Sequence, residues 1–108
     1  MSDMLGLDTQ DAFDHETLRV TPHGGDVPTQ LTETIYRPAN ADAATSAYIS
    51  VEGGSIRYWA DKKTPTDKEG HLVEPKGTFP LDSYNLIRGF RAVRVGPTRA
   101  TLQVSYLR

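Results

Sequence analysis

The chain has 108 residues, of which 37% are hydrophobic, and this is enough for one domain with a single thin core. Its 14 acidic and 12 basic residues give a formal net charge of −2, which argues against binding of nucleic acid through bulk charge. The absence of cysteine excludes disulfide bonds, Cys-ligated zinc and thiol catalysis. No apolar run approaches the ~18 residues of a membrane helix, and the N-terminus lacks the features of a secretory signal. We therefore expect a protein that is made in the cytoplasm and has no membrane partner.

Residues 1–15 show no hydrophobic period and are interpreted as an extended N-terminal arm. The β-structured domain would then span residues 16–108. Four apolar side chains of the arm are candidates for contact with a neighbouring protein chain: Met4, Leu5, Leu7 and Phe13.

The charge is unevenly distributed along the chain. Residues 1–42 contain eight acidic and two basic side chains, whereas residues 43–108 contain six acidic and ten basic ones. The first part of one copy could therefore attract the second part of a neighbouring copy, which would favour a homo-oligomer.

Alternating runs rich in β-branched residues predict short strands at residues 17–21 and 31–37. The longest such run, residues 46–60, is interrupted by Gly53 and Gly54. Two glycines between alternating apolar residues are typical of a two-residue β-hairpin turn, so we expect the flanking strands to pair with each other.

The hairpin assigns each side chain to one face of the sheet. Val51 would face Ile56 on the core side, and Tyr48 would lie beside Trp59 on the opposite side, with Arg57 on the same outer face. Two large aromatic side chains on an outer face predict a contact surface for protein or sugar, unless another segment covers them. Tyr48, Arg57 and Trp59 are therefore candidate interface residues.

The C-terminal part continues the strand pattern. Residues 77–81 are expected to form a short strand, followed by a helical turn within residues 82–89 that Asp82 or Ser83 would cap. Two further alternating runs flank the loop at residues 96–99 and predict a second hairpin. About seven short strands separated by turn signals favour an all-β fold, which we expect to be a single, jelly-roll-like β-sandwich.

No arrangement of catalytic or metal-binding residues stands out in the sequence. The histidines, His15, His23 and His71, lie far apart and lack metal-ligand spacing. The acidic group of Asp11, Asp14 and Glu16 lies in the segment assigned to the arm and is interpreted as solvated charge. We expect no enzyme activity, no metal and no cofactor.

Residues 55–108, about half of the chain, contain a series of short motifs: SIRYWAD at 55–61, TPT at 64–66, GHL at 70–72, FRAVRVG at 90–96 and ATLQVSYLR at 100–108. In these motifs the chain resembles small β-structured virion proteins of tailed bacteriophages. The resemblance implies a non-enzymatic particle component located on the capsid surface. Within that class it is most similar to capsid decoration, or cement, proteins, which commonly sit as trimers over joints between major capsid protein subunits.

Two alternatives remain open. One is a tail- or surface-associated β-sandwich module that binds a glycan or receptor through Tyr48 and Trp59. The other is a small cupin-like enzyme, which would require histidines clustered on neighbouring strands.

Overall fold

The computed structural model describes residues 11–24 and 27–108 of the chain. Within these residues no helix is long and apolar enough to span a membrane. In chain order the elements are β1 (Ala12–Arg19), α1 (Glu33–Tyr36), β2 (Ser46–Glu52), β3 (Ile56–Trp59), β4 (His71–Val73), β5 (Thr78–Leu81), α2 (Tyr84–Gly89), β6 (Arg91–Arg94) and β7 (Thr101–Leu107).

The strands form two antiparallel sheets. The four-stranded sheet has the order β1-β7-β2-β5, and the three-stranded sheet has the order β4-β3-β6. The prediction of an all-β fold with seven strands in a sandwich-like arrangement is therefore confirmed. The jelly-roll topology stays a prediction.

The hydrophobic core lies between the two sheets. Ile49 and Val104, which pair across β2 and β7, and Ile56 of the other sheet are all at most 2% exposed. Tyr58 of β3 stacks on Phe79 of β5, with ring centroids 4.5 Å apart and planes 9° apart. Burial of each large aliphatic side chain contributes about 1.5–3 kcal/mol, so the alternating inward positions hold the sheets together.

The predicted hairpin at Gly53–Gly54 is wrong in its pairing, although the positions of both strands are correct. β2 lies between β5 and β7 in one sheet, and β3 lies between β4 and β6 in the other. Val51 and Ile56 are both fully buried, as predicted, but they approach the core from opposite sheets. A strand with hydrogen-bonded neighbours on both edges cannot also pair with the strand that follows it.

The predicted hairpin at residues 96–99 is wrong for the same reason, because β6 and β7 also belong to different sheets. The β2–β3 and β6–β7 connections pack against each other. A Cβ atom on Gly53 would lie 2.5 Å from the carbonyl oxygen of Arg99, and one on Gly54 would lie 2.6 Å from that of Thr98. The two glycines allow this close approach of backbones.

Residues 31–37, predicted as a strand, contain helix α1 instead. Leu31 and Tyr36 are buried, and the backbone N–H groups of Ile35 and Tyr36 both donate to the carbonyl of Thr32. Four helical residues are too few to be stable alone, so contacts with the rest of the domain override the β-branched pattern. Pro38 follows directly and cannot continue the helix.

The helical turn expected within residues 82–89 is confirmed as α2. The Ser83 side chain caps it by accepting a hydrogen bond of 3.2 Å from the backbone N–H of Leu86. β4 was not predicted, because its three residues are too short for an alternating pattern to be visible.

The start of β1 differs from the expected end of the arm. Residues 12–15, assigned to the arm by sequence, lie in β1 and pair with β7, the central strand that continues to the C-terminus. Met4, Leu5 and Leu7 lie outside the described residues. A β-bulge between Ala12 and Asp14 shifts the strand register and obscures the alternation that would have indicated a strand.

Candidate functional site

The structure separates Tyr48 from Trp59. Tyr48 lies on the outer face of the four-stranded sheet, and Trp59 ends the central strand of the other sheet. The prediction that they lie side by side is therefore wrong, because it depended on the hairpin pairing of β2 with β3. They belong to two separate surfaces.

The first surface is a shallow groove of about 300 Å³ on the outer face of the four-stranded sheet, which we call the Tyr48 groove. Tyr48 is 50% exposed, and its strand neighbours are Pro80 on β5 and Ser105 on β7. The remaining wall comes from β1, β2, β7 and the residue after β5: Ala12, Ser46, Ala47, Leu107 and Asp82. A half-exposed tyrosine among proline, alanine and leucine side chains is suited to contact with another protein.

Phe13, predicted as an interface residue, packs within its own domain. Its ring lies 6.5 Å from that of Tyr106, and the guanidinium of Arg108 lies 3.9 Å above it. The backbone N–H of Asp11 and the carbonyl of Arg108 form a 3.1 Å hydrogen bond, which is returned in the opposite direction. These contacts join the first strand to the C-terminus of the chain.

Arg57 also binds within the domain. Its guanidinium donates from Nε to the carbonyl of Asp67 at 3.1 Å and from Nη1 to that of Gly70 at 2.8 Å. These two hydrogen bonds hold the loop at residues 61–70 against the outer side of β3.

That loop and Trp59 form the second surface, a broad cleft of about 570 Å³ that we call the Trp59 cleft. Trp59 is half-buried, and its ring meets the edge of the His71 ring at 5.3 Å. The rest of the lining consists of Asp61, Lys63, Thr64, Glu69 and Gly70. The cleft therefore offers one aromatic surface for stacking and several polar groups beside it for hydrogen bonds.

A third feature, absent from the sequence interpretation, is a hydrogen-bonded group around Glu16. The Glu16 carboxylate accepts from the Thr32 backbone N–H at 3.0 Å, from the Thr32 hydroxyl at 2.6 Å and from the phenol of Tyr106. Tyr106 is fully buried. Glu16 is thus not a solvated charge. It connects β1, β7 and the start of α1 and satisfies three donors in or near the core.

Burial raises the pKa of the Tyr106 phenol, and the hydrogen bond and charge of Glu16 raise it further. Burial also raises the pKa of Tyr58, and burial together with the Glu33 charge raises that of Tyr36. A raised pKa means that the fold favours the neutral phenol. The free energy that each of these neutral phenols contributes to folding is fully present below the ordinary tyrosine pKa of about 10. It is lost progressively as the pH rises above that value.

We therefore expect the domain to lose stability above about pH 10, by up to about 1.4 kcal/mol per pH unit from Tyr106. Urea unfolding between pH 8 and 11 would measure this loss. Tyr106→Phe removes one of the three phenols with a raised pKa, so the free energy of unfolding of the variant should fall less steeply with pH. A free energy of unfolding with the same alkaline slope in both proteins would contradict this assignment.

In the part of the chain that the structure describes, no three His, Asp or Glu side chains come close enough to hold a metal ion together. His15 lies on β1, opposite Ser105. His23 lies 3.8 Å from a carboxylate oxygen of Asp67, and His71 packs against Tyr58 and Trp59.

Comparisons with known protein families, curated proteins and solved structures found no match to this chain. The fold and the two surfaces are therefore the structural basis for a functional argument.

Proposed function

We propose that the chain is a non-enzymatic virion structural protein of a tailed bacteriophage. In this proposal it is a capsid decoration protein, made in the host cytoplasm, that binds across major capsid protein subunits and stabilises the head. The observation that carries the proposal is the Tyr48 groove, an exposed surface of suitable chemistry on an otherwise regular sheet face. The proposed partner, the major capsid protein, follows from the resemblance of the motifs in residues 55–108 to virion proteins.

The geometry of the groove supports a protein partner. The outer face of β2, β5 and β7 presents Tyr48, Pro80 and Ser105 in one row across three strands, so a partner meets a continuous surface. Tyrosine is enriched among the residues that contribute most to protein binding, since it buries a large area with few rotatable bonds. Ala12 and Leu107 extend the same surface towards the chain ends.

The N-terminal segment is part of this proposal because the chain connects it directly to the wall of the groove. Residues 1–10 join the described structure at Asp11, directly before Ala12 in the wall of the groove. We propose that the apolar side chains of Met4, Leu5 and Leu7 contribute to the same interface.

Self-association is the second part of the proposal, and a trimer is the favoured state. The excess of acidic residues in 1–42 and of basic residues in 43–108 provides attraction between copies. A small domain also gains stability when assembly buries further surface.

Tyr48→Asp is expected to weaken binding to capsids by about thirtyfold or more, which corresponds to ~2 kcal/mol for a central interface tyrosine. Because Tyr48 is half exposed, the melting temperature should change little. Capsids would be assembled from the major capsid protein encoded in the same genome, and binding measured by co-sedimentation.

The matched control is Leu72→Asp. Leu72 is 49% exposed and lies on β4 of the other sheet. The substitution therefore adds the same negative charge as Tyr48→Asp, but at a position away from the groove. It should leave capsid binding unchanged. Equal binding by the Tyr48→Asp variant and the wild type would contradict the role of the groove, as would equal losses in both variants.

The alternative function, a tail- or surface-associated module that recognises a glycan or receptor, is favoured by a different feature. That feature is the Trp59 cleft, which lies on the other sheet and does not include Tyr48.

A further inference from the structure

We propose that the Trp59 cleft binds a neutral sugar residue, which stacks on the indole of Trp59 and forms hydrogen bonds with Asp61, Lys63 and Glu69. This site is independent of the capsid-binding function proposed above. Its volume of about 570 Å³ lies within the range of about 300–1,000 Å³ that is typical of small-ligand sites.

The indole provides the apolar platform. Trp59 lies at the end of β3, where its half-buried ring contacts the His71 ring edge-on and lines the cleft. One face of a pyranose ring presents C–H groups, which pack on the electron-rich face of an aromatic ring. Because the indole is half-buried, it loses less side-chain freedom on binding a sugar than a fully exposed side chain would.

The loop at residues 61–70 is organised before any ligand binds. The Arg57 guanidinium donates hydrogen bonds to the backbone carbonyls of Asp67 and Gly70 in this loop. The Thr66 hydroxyl accepts from the backbone N–H groups of Lys68 at 3.1 Å and Glu69 at 2.9 Å.

Two further features fix the position of this loop. Pro65 is among the fully buried side chains, and a Cβ atom on Gly70 would lie 3.0 Å from the Cβ of Pro65. At the other end of the loop, the Lys62 N–H donates to the Gly89 carbonyl at 2.9 Å. A loop held at several points presents its polar groups to a ligand at a low entropic cost.

The polar groups of the cleft have unused bonding capacity. Among the described residues, the Lys63 ammonium and the Glu69 carboxylate form no hydrogen bond or ion pair with the protein. One Asp61 oxygen accepts from the Lys63 N–H at 3.1 Å, and its other oxygen can accept from a ligand. Sugar hydroxyls both donate and accept, so they match this mixture of carboxylates and ammonium.

The charge of the cleft selects against anions. Two carboxylates and one ammonium line it, so a phosphate or an acidic sugar would meet net repulsion. A neutral hexose or N-acetylhexosamine unit satisfies the same donors and acceptors without this cost.

Trp59 is the only tryptophan of the chain, so tryptophan fluorescence reports on the cleft alone. We would titrate the protein with the methyl glycosides of glucose, galactose, mannose and N-acetylglucosamine to about 50 mM, a range that covers millimolar affinities. At least one glycoside should produce a saturable change in Trp59 emission. In ¹H–¹⁵N NMR spectra the same sugar should shift the Trp59 indole and the amides of Thr64 and Gly70.

Glu69→Gln is the test variant, because the Glu69 side chain is exposed and forms no hydrogen bond or ion pair with the described residues. It should weaken the binding of that glycoside by tenfold or more. Glu74→Gln removes an equally exposed carboxylate outside the cleft and should leave binding unchanged. Methyl glucuronide should bind at least tenfold more weakly than the methyl glucoside.

Three results would overturn the proposal. They are the absence of any saturable change with all four glycosides, NMR shifts confined to residues outside the cleft, or tighter binding of the glucuronide than of the glucoside. Tyr48→Asp should bind sugar normally, and Glu69→Gln should bind capsids normally. Failure of the sugar site and failure of the capsid function are therefore distinguishable.

Discussion

Glu16→Ala is expected to lower the free energy of unfolding by about 2–4 kcal/mol, a large part of the stability of a small domain. The substitution leaves the Tyr106 phenol, the Thr32 N–H and the Thr32 hydroxyl without their acceptor. The Tyr106 phenol is fully buried, so the loss of its acceptor costs about 1–3 kcal/mol. The two donors of the half-buried Thr32 add a smaller loss, because water can partly replace the carboxylate. Urea unfolding followed by circular dichroism would measure the loss.

The matched control for this variant is Thr17→Ala at the next position of β1. Thr17 is exposed, and its hydroxyl makes a single hydrogen bond, 2.7 Å long, with Gln103 on the outer face. We expect a cost of about 1 kcal/mol or less. Glu16→Gln keeps one acceptor oxygen and should fall between the two. Similar losses from Glu16→Ala and Thr17→Ala would show that the buried hydrogen-bonded group does not hold the sheet to α1.

Gly53→Ala is expected to destabilise the domain by about 3 kcal/mol or more. The backbone of Gly53 has a φ of 87°, and an added Cβ would lie 2.5 Å from the Arg99 carbonyl oxygen. The left-handed conformation costs a residue with a side chain about 1–2 kcal/mol, and the overlap with a backbone atom adds about 1–3 kcal/mol.

Gly96 provides a matched control, because it has the same φ of 87° but no heavy atom within 4 Å of an added Cβ. Gly96→Ala should therefore cost only the conformational part, about 1–2 kcal/mol. The difference between the urea midpoints of Gly53→Ala and Gly96→Ala measures the cost of disturbing the contact between the β2–β3 and β6–β7 connections. Equal losses would contradict the contact between Gly53 and Arg99.

The sequence was informative about which residues are strands and which side chains point inward. The alternation of Ala47, Ile49 and Val51 predicts a buried face, and all three are at most 1% exposed. The same alternation predicts that Tyr48 points outward, and it is half exposed. These are local properties, because successive side chains of a strand point to opposite sides of the sheet.

The sequence was not informative about which strands pair. The neighbours of β2 are β5 and β7, and its Ala47 pairs with Tyr106 at the far end of the chain. Two adjacent glycines indicate that the chain turns sharply. Such a turn is found both in a β-hairpin and in a connection from one sheet to the other, so the glycines do not show which strands pair. The Tyr48 groove could not be predicted, because its wall combines residues from both ends of the chain.

The position of Glu16 in the chain indicates that its side chain is not simply solvated. It lies two residues before Leu18 and four before Val20, both of which contribute to the core. An acidic residue in phase with inward-facing positions of a strand implies a buried carboxylate that needs donors. The partners themselves, Thr32 and Tyr106, lie 16 and 90 positions away and were not predictable from local pattern.

Electron cryo-microscopy of capsids incubated with the wild-type protein tests the proposed function most directly. The capsids would be assembled from the major capsid protein of the same genome and saturated with the chain. We expect density for a two-sheet domain at a fixed ratio to the capsid subunits, over the joints between them, with the Tyr48 groove turned towards the capsid. A genome that encodes no major capsid protein, bare capsids at saturation, or a bound domain with the groove facing solvent would contradict the proposal.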